Sequence, residues 1–225
     1  MPLNVRLLQL ADSALPISGY THSWGLETAI ARGLVTGPEP LEQWTAHWLR
    51  HSLGPLEGVV VAHSCRFAEH REFGDLLQLN KLMEVSVMPP TIRRASREMG
   101  EQLLALSATW VWSEAVVTPL TGRGTAGWHH PVVFGLLGAI AGAGVEEVLT
   151  AYLHQSALGM VSAGVRAIPV GHTHGQQIVA YLQDVIMELV QDLSERGLDT
   201  IGAGCPQYEV MCDEQTRLYA RMFRS

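Results

Sequence analysis

The sequence predicts an all-α protein, a single-domain helical bundle of about eight helices with a less regular C-terminal tail from about residue 198. Three observations carry this reading. Apolar residues recur at three- and four-residue steps almost everywhere after Thr21, the spacing of helices that bury one face. Prolines and glycines at Pro38, Pro40, Gly54, Pro55, Gly74, Pro89, Pro90, Pro119, Pro131 and Pro169 punctuate the chain as helix boundaries, since proline lacks an amide hydrogen and restricts its predecessor. The one stretch of strand-like composition, 110–117 (WVWSEAVV), has no comparable partner strand and reads as a helix tail.

Taken in order, residues 39–53 set Leu41, Trp44 and Trp48 on one stripe, and 91–110 set Ile92, Ala95, Met99, Leu103, Leu106 and Trp110 on another. Residues 118–130 (TPLTGRGTAGWHH) form the one obvious long loop. The apolar run from Val132 to Val145 is 14 residues long. A membrane span needs about 20, so a buried helix is expected there. The stretch 145–165 aligns Val145, Val148, Leu149, Tyr152, Leu153 and Val161, and 174–193 aligns Ile178, Leu182, Val185, Ile186, Leu189 and Leu193. Thr173 with Gln176 three residues later has the form of a capping box, and Gly197 is placed to close that helix. No internal repeat or interdomain linker interrupts residues 1–225; residues 1–20 form an N-terminal segment.

Composition excludes several classes. Hydrophobic residues make up 47% of the chain and charged ones only 16%, the opposite of a disordered protein. So little charge cannot wet the whole surface of a monomer, which points to apolar surface covered by another chain. A formal charge of -7, with Lys81 the only lysine and no basic run, argues against nucleic acid as a partner. Three scattered cysteines form no disulfide framework, and the N-terminus lacks the apolar centre of a signal peptide. The expected setting is the cytoplasm, with no membrane contact.

Candidate chemistry is sparse. His47 and His51 stand one helical turn apart, but Trp48 follows the first histidine where a hydrolytic zinc site places its glutamate, and a surface pair near the helix end is the plainer reading. His129–His130 lies in the glycine-rich loop, where it could take up a metal transiently; His172 and His174 flank a helix start, and Cys205 and Cys212 lack the spacing of a structural zinc pair. No phosphate-binding loop and no nucleophile elbow occur. Glu146 and Glu147 are explained by the dipole of the helix they open. Arg93, Arg94 and Arg97 make a basic stripe, read as a solvated face because Glu98 and Glu101 follow Arg94 and Arg97 at four residues. No catalytic residue, cofactor or resident metal is assigned. A protein that acts by binding and scaffolding is the leading class, ahead of a stand-alone histidine-based metal-handling protein and a helical hydrolase.

Three segments are unusual for a plain helical core. LLQLADSALPISGYTHSWGLETAI (7–30) delivers the cluster Tyr20, Thr21, His22, Ser23 and Trp24 after a proline–glycine turn. VRAIPVGHTHGQQ (165–177) turns between two long helices. The tail DEQTRLYARMFRS (213–225) carries Leu218, Tyr219, Met222 and Phe223 among three arginines, where chain ends ordinarily fray. Taken together they resemble the urease accessory protein UreF family. Leu15, Pro16, Ile17, Gly19, Tyr20, Thr21, Ser23, Gly25, Leu26 and Glu27 match its opening motif, with Ser18 where the family usually has glycine. Arg166, Ile168, Pro169, Gly171, Gly175 and Gln176 meet its middle motif, with His172 and His174 in place of glutamine and aspartate. Glu214, Tyr219, Arg221, Met222, Phe223 and Ser225 echo its ending, and Ser96–Gly100 also looks similar.

The resemblance implies an all-α homodimer that binds the accessory protein UreD (also called UreH). With it, the protein recruits the GTPase UreG and couples nucleotide state to nickel delivery into the urease apoprotein. It implies partner contacts at Tyr20, Thr21, His22, Ser23, Arg166, Pro169, Gln176, Tyr219, Arg221, Met222, Phe223 and Ser225, with 198–225 as a docking tail. From the residues alone other readings stay open: Tyr20 and Trp24 as core anchors, Arg166 paired at a helix end, and the tail packed against its own bundle.

Overall fold

A computed structural model describes residues 3–121, 127–202 and 204–225, and among these the regular structure is helical throughout. The α-helices are α1 (Val5–Leu10), α2 (Leu26–Ala31), α3 (Pro38–Trp48), α4 (Val59–Glu69), α5 (Phe73–Ser86), α6 (Pro90–Ser107), α7 (Glu114–Val117), α8 (His130–Ile140), α9 (Val145–Ala167), α10 (His172–Leu193) and α11 (Pro206–Glu214). The three short ones, α1, α2 and α7, flank or join the main bundle. Of the rest, α3, α6, α9 and α10 fall on the predicted stripes and α8 on the apolar run, while α4 and α5 lie between proline and glycine boundaries with no stripe assigned. α11 gives the tail a regular helix where a less regular segment is expected.

The apolar run predicted as a buried helix is α8, the centre of the molecule. Every residue from His130 to Gly138 is buried. It lies against α4, α6 and α9, and α10 packs on the outer side of α9. Close approach to α4 depends on Gly135, where a Cβ would stand 2.5 Å from the Val61 carbonyl oxygen. The Ser64 hydroxyl adds a 2.6 Å hydrogen bond to the Val132 carbonyl, one helix clipping the next. Among the described residues no helix is long and apolar enough to cross a membrane.

Several boundaries differ from expectation. Gly54 and Pro55 do not end a helix: the chain runs without a break from α3 through a π-helical segment, Leu49–Gly58, into α4. The wider π turn accommodates the hydrogen bond that proline cannot donate. Gly54 and Gly58 leave room there for the Leu193 side chain of α10. Pro131, by contrast, does mark a boundary: it sits in the first turn of α8, where its missing N–H costs nothing. Thr173 caps nothing: Gly171 is the N-cap of α10 and Thr173 is already inside the helix. Gly197 does not close α10 but leads into a 3-10 turn at Leu198–Thr200, after the helix has ended at Leu193. Of the expected loop, 122–126 lies outside the described residues, Thr118–Leu120 is a 3-10 turn, and Trp128 and His129 are buried.

The basic stripe on α6 is also corrected. Arg93 and Arg97 turn to Glu84 of α5, at 3.9 and 3.5 Å, instead of lying along a solvated face. Glu84 in turn holds His129 Nε2 at 2.9 Å, while His129 Nδ1 meets the Ser96 hydroxyl at 3.1 Å. Burial keeps the His129 imidazole below its ordinary pKa, against the opposing pull of Glu84. Glu101 accepts the Trp128 backbone N–H at 2.6 Å. The residues that look like a charged surface therefore bind segment 127–130 onto α5 and α6.

Candidate functional site

The opening motif folds as a tight, partly left-handed turn. Ser18, Trp24 and Gly25 have φ of 67°, 52° and 85°, a region costly for residues with a Cβ. Glycine at position 18 would relieve that cost. At position 25 any side chain is strained by the backbone, and its Cβ would also stand 3.0 Å from the Cys212 sulfur. The turn sends Ser23, Thr28 and Glu27 toward the other end of the chain.

There the tail closes on it. The Glu27 carboxylate accepts the backbone N–H of Met222 at 2.5 Å, that of Phe223 at 3.3 Å and the Gln215 side-chain amide at 3.1 Å. Gln215 in turn accepts from the Ser23 hydroxyl at 3.1 Å. The Ser225 carbonyl oxygen takes the backbone N–H groups of Ser23 and Trp24, and Thr28 donates to the Met211 carbonyl. Arg224 donates its backbone N–H to the Thr21 carbonyl at 2.8 Å and its guanidinium to Glu98 at 2.9 Å. Arg166 of α9 completes the closure: it donates to the Tyr20 carbonyl at 2.7 Å and lies over the Phe223 ring at 4.8 Å.

The expected site residues therefore divide. His22, Ser23, Phe223 and Ser225 are buried inside the closure. As placed here they hold the tail to the opening motif. Ser23 donates to Gln215 and to the Ser225 backbone oxygen, His22 meets the Ser225 hydroxyl through Nδ1 while its Nε2 has no partner among the described residues, and Phe223 belongs to the apolar core. Thr21 is half-buried and turns its hydroxyl back to Ser18. Tyr20, Arg166, Tyr219, Arg221 and Met222 are exposed around the closure. Pro169 and Gln176 are exposed too, on the corner between α9 and α10. Trp24 packs partly into the core, as an anchor would, whereas Tyr20 does not. Glu27 and Gln215 were not singled out by sequence; Glu27 stands in the opening motif, but nothing local tells that its carboxylate reads the far end of the chain.

Beneath the closure lies a cavity of about 330 Å³, with Tyr20, Trp48, Glu57, His130 and Tyr152 among its walls. The Tyr152 hydroxyl donates to Glu57. Burial outweighs that hydrogen bond and pushes the Glu57 carboxyl up to about 7, and burial alone pulls His130 down to about 4. His130 is thus neutral near pH 7, while Glu57 titrates there, about half of it protonated. For Glu57 the sign follows directly. The folded state keeps a proton that the unfolded chain releases near 4.5, so its contribution is whole below pH 4.5 and is lost as pH rises through 7. Glu57→Gln keeps an acceptor for Tyr152 without the titration. Its stability relative to the parent should improve by about 3 kcal/mol between pH 4.5 and pH 8, measured by denaturant unfolding at both values. A difference independent of pH would place the carboxyl in water.

The histidines singled out as metal candidates do not gather. His47 and His51 face one another at 4.5 Å on an exposed helix surface. His129 turns to Glu84 while His130 packs against Phe134 and Tyr152. Among the described residues no three His, Cys, Asp or Glu side chains are grouped to hold an ion.

The described residues thus form an all-helical protein whose opening motif is locked to its own tail. The family model UreF matches residues 35–183. Over 221 residues the chain is 32% identical to the urease accessory protein UreF of Arthrobacter sp. strain FB24, covering 97% of this chain and 96% of the relative. It is 31% identical over 219 residues to that of Cereibacter sphaeroides strain ATCC 17025, with 97% of each chain covered. It is 28% identical over 221 residues to that of a Nostoc species, covering 98% and 95%. The chain belongs to the UreF family of urease accessory proteins.

Proposed function

We propose that this protein is a non-enzymatic scaffold of urease maturation in the cytoplasm. In this reading it acts as a homodimer, binds a UreD/UreH-type partner, and with it recruits a UreG-type GTPase whose GTP hydrolysis is coupled to nickel insertion into the urease apoprotein. Nickel is cargo here, not a resident cofactor. Beside the family membership, one observation supports the reading. The tail is fixed from within by Glu27 and Phe223, yet Tyr219 and Met222 on the same segment stand in solvent. Large side chains already ordered pay little entropy when a partner covers them, which is the character of interface anchors. Tyr20, Arg166 and Arg221 border them, while Pro169 and Gln176 offer a further contact at the α9–α10 corner.

Mixing the purified chain with its UreD-type and UreG-type partners and following the mixture by size-exclusion chromatography tests this. A stable complex is expected. The double variant Tyr219→Ala/Met222→Ala, both exposed, should keep its helical spectrum and melting temperature but bind about tenfold or more weakly. Separate migration of all three proteins would sink the proposal.

A further inference from the structure

On the far side of the docked tail a groove of about 580 Å³ opens between the tail and α6. Thr91, Arg94 and Glu98 line it from the helix, Arg221 and Arg224 from the tail, and His22 from the opening motif. Arg224 is paired with Glu98 at 2.9 Å. Among the described residues no carboxylate lies within ion-pair distance of Arg94 or Arg221. Ser225 also lines it, its backbone oxygen bonded to the Ser23 and Trp24 N–H groups. Three guanidiniums against the Glu98 side-chain carboxylate leave basic side chains in excess here, in a chain whose formal charge is -7.

Two buried polar atoms in its walls have no hydrogen-bond partner among the described residues, His22 Nε2 and Thr91 Oγ1. His22 is only 3% exposed. Its Nδ1 lies 2.6 Å from the Ser225 hydroxyl. Burial, aided by the charge of Arg224, lowers His22 to about 4, so the ring is neutral at physiological pH. We assign the Ser225 hydroxyl as donor to Nδ1, the tautomer that puts the ring's one hydrogen on Nε2. Thr91 stands in the first turn of α6, at the positive end of an 18-residue helix.

The groove thus offers donors in excess: two guanidiniums without a carboxylate, an imidazole N–H and a hydroxyl. A carboxylate, with two oxygens, satisfies fewer of them than a phosphate group, whose terminal oxygens each accept strongly and match the guanidinium fork. We propose that this groove is a phosphate-binding site, with Arg94 and Arg221 as the charged grips and His22 Nε2 and Thr91 Oγ1 as the neutral donors. The groove shares Arg221 and Met222 with the proposed partner surface, and testing its phosphate chemistry requires no partner protein.

The full chain is titrated calorimetrically, at fixed ionic strength, with inorganic phosphate, phosphoserine and acetate. Saturable phosphate binding is expected, with acetate far weaker. Arg94→Ala/Arg221→Ala, both at exposed positions, should weaken it by about tenfold or more with the melting temperature unchanged. The His22 Nε2 resonance should move as phosphate is added. Tighter binding of phosphoserine assigns the phosphate to a larger molecule, and tighter binding of inorganic phosphate assigns it to the free anion; both support the site. Absence of saturable binding, binding unchanged in the double variant, or preference for acetate would overturn it.

Discussion

Glu27→Ala is expected to release the tail while leaving the bundle folded. One carboxylate holds the backbone of Met222 and Phe223 and, through Gln215, reaches Ser23. Hydrogen bonds to a charged acceptor contribute about 1.5–3 kcal/mol each, and two stranded backbone donors would add a penalty where they stay buried. The net loss of tail docking should be about 3 kcal/mol, since the freed amides recover part of it from water. The amides of Met222 and Phe223 should exchange with solvent much faster, and trypsin should cut at Arg221 and Arg224, while α4, α8 and α9 keep their protection. Glu27→Gln, which retains an acceptor, should fall between. If exchange at Met222 and Phe223 is unchanged in the alanine variant, the tail is held by Phe223 and Ser225 without the carboxylate. Under the scaffold proposal, the released tail also binds the UreD-type partner more weakly, because ordering must then be supplied on association.

Gly100→Ala should damage the fold itself. Gly100 lies on α6 where the helix touches segment 127–130. A Cβ there would stand 2.0 Å from the Trp128 carbonyl oxygen, 2.6 Å from the His129 carbonyl carbon and 2.7 Å from the His130 nitrogen. Backbone cannot rotate away as a side chain can, so the helix and the segment must separate. That separation disturbs Trp128, the contacts of His129 with Ser96 and Glu84, and the start of α8 together. A loss of about 4 kcal/mol is expected, at the upper end for a single substitution in a packed interior. Gly159→Ala is the internal comparison. Gly159 is also inside a helix, α9, but nothing stands within 4 Å of its Cβ position. There alanine should stabilise by about 0.5–1 kcal/mol, the ordinary helix preference. Thermal unfolding of both variants decides: equal effects at the two glycines would mean that α6 and segment 127–130 are not in contact.

Much of the helical plan was legible because the bundle buries broad apolar stripes, and a stripe of period 3.6 is a local property. Val132–Val145 announced a buried helix, and α8 is that helix as far as Ile140. Pro55 misled because its consequence depends on the turn around it; a π-helical turn tolerates what an α-helical one does not. Arg93 and Arg97 misled because Glu84 sits on another helix, a partner that spacing along α6 cannot reveal.

The site shows the same division. Its motifs could be recognised one by one, but not that the first and last of them are two sides of a single closure. Glu27 and Met222 are separated by 195 residues. Sequence by itself determined most of the helical plan and the family, since periodicity and motif are written along the chain. Only the tertiary structure decided which motif residues are spent inside and which remain outside: Ser23, Glu27 and Phe223 hold the two ends together, while Tyr219 and Met222 face solvent. The physical reason is that a hydrogen-bonding group is satisfied by whatever the fold brings within 3 Å, and that neighbour is set by packing over the whole chain.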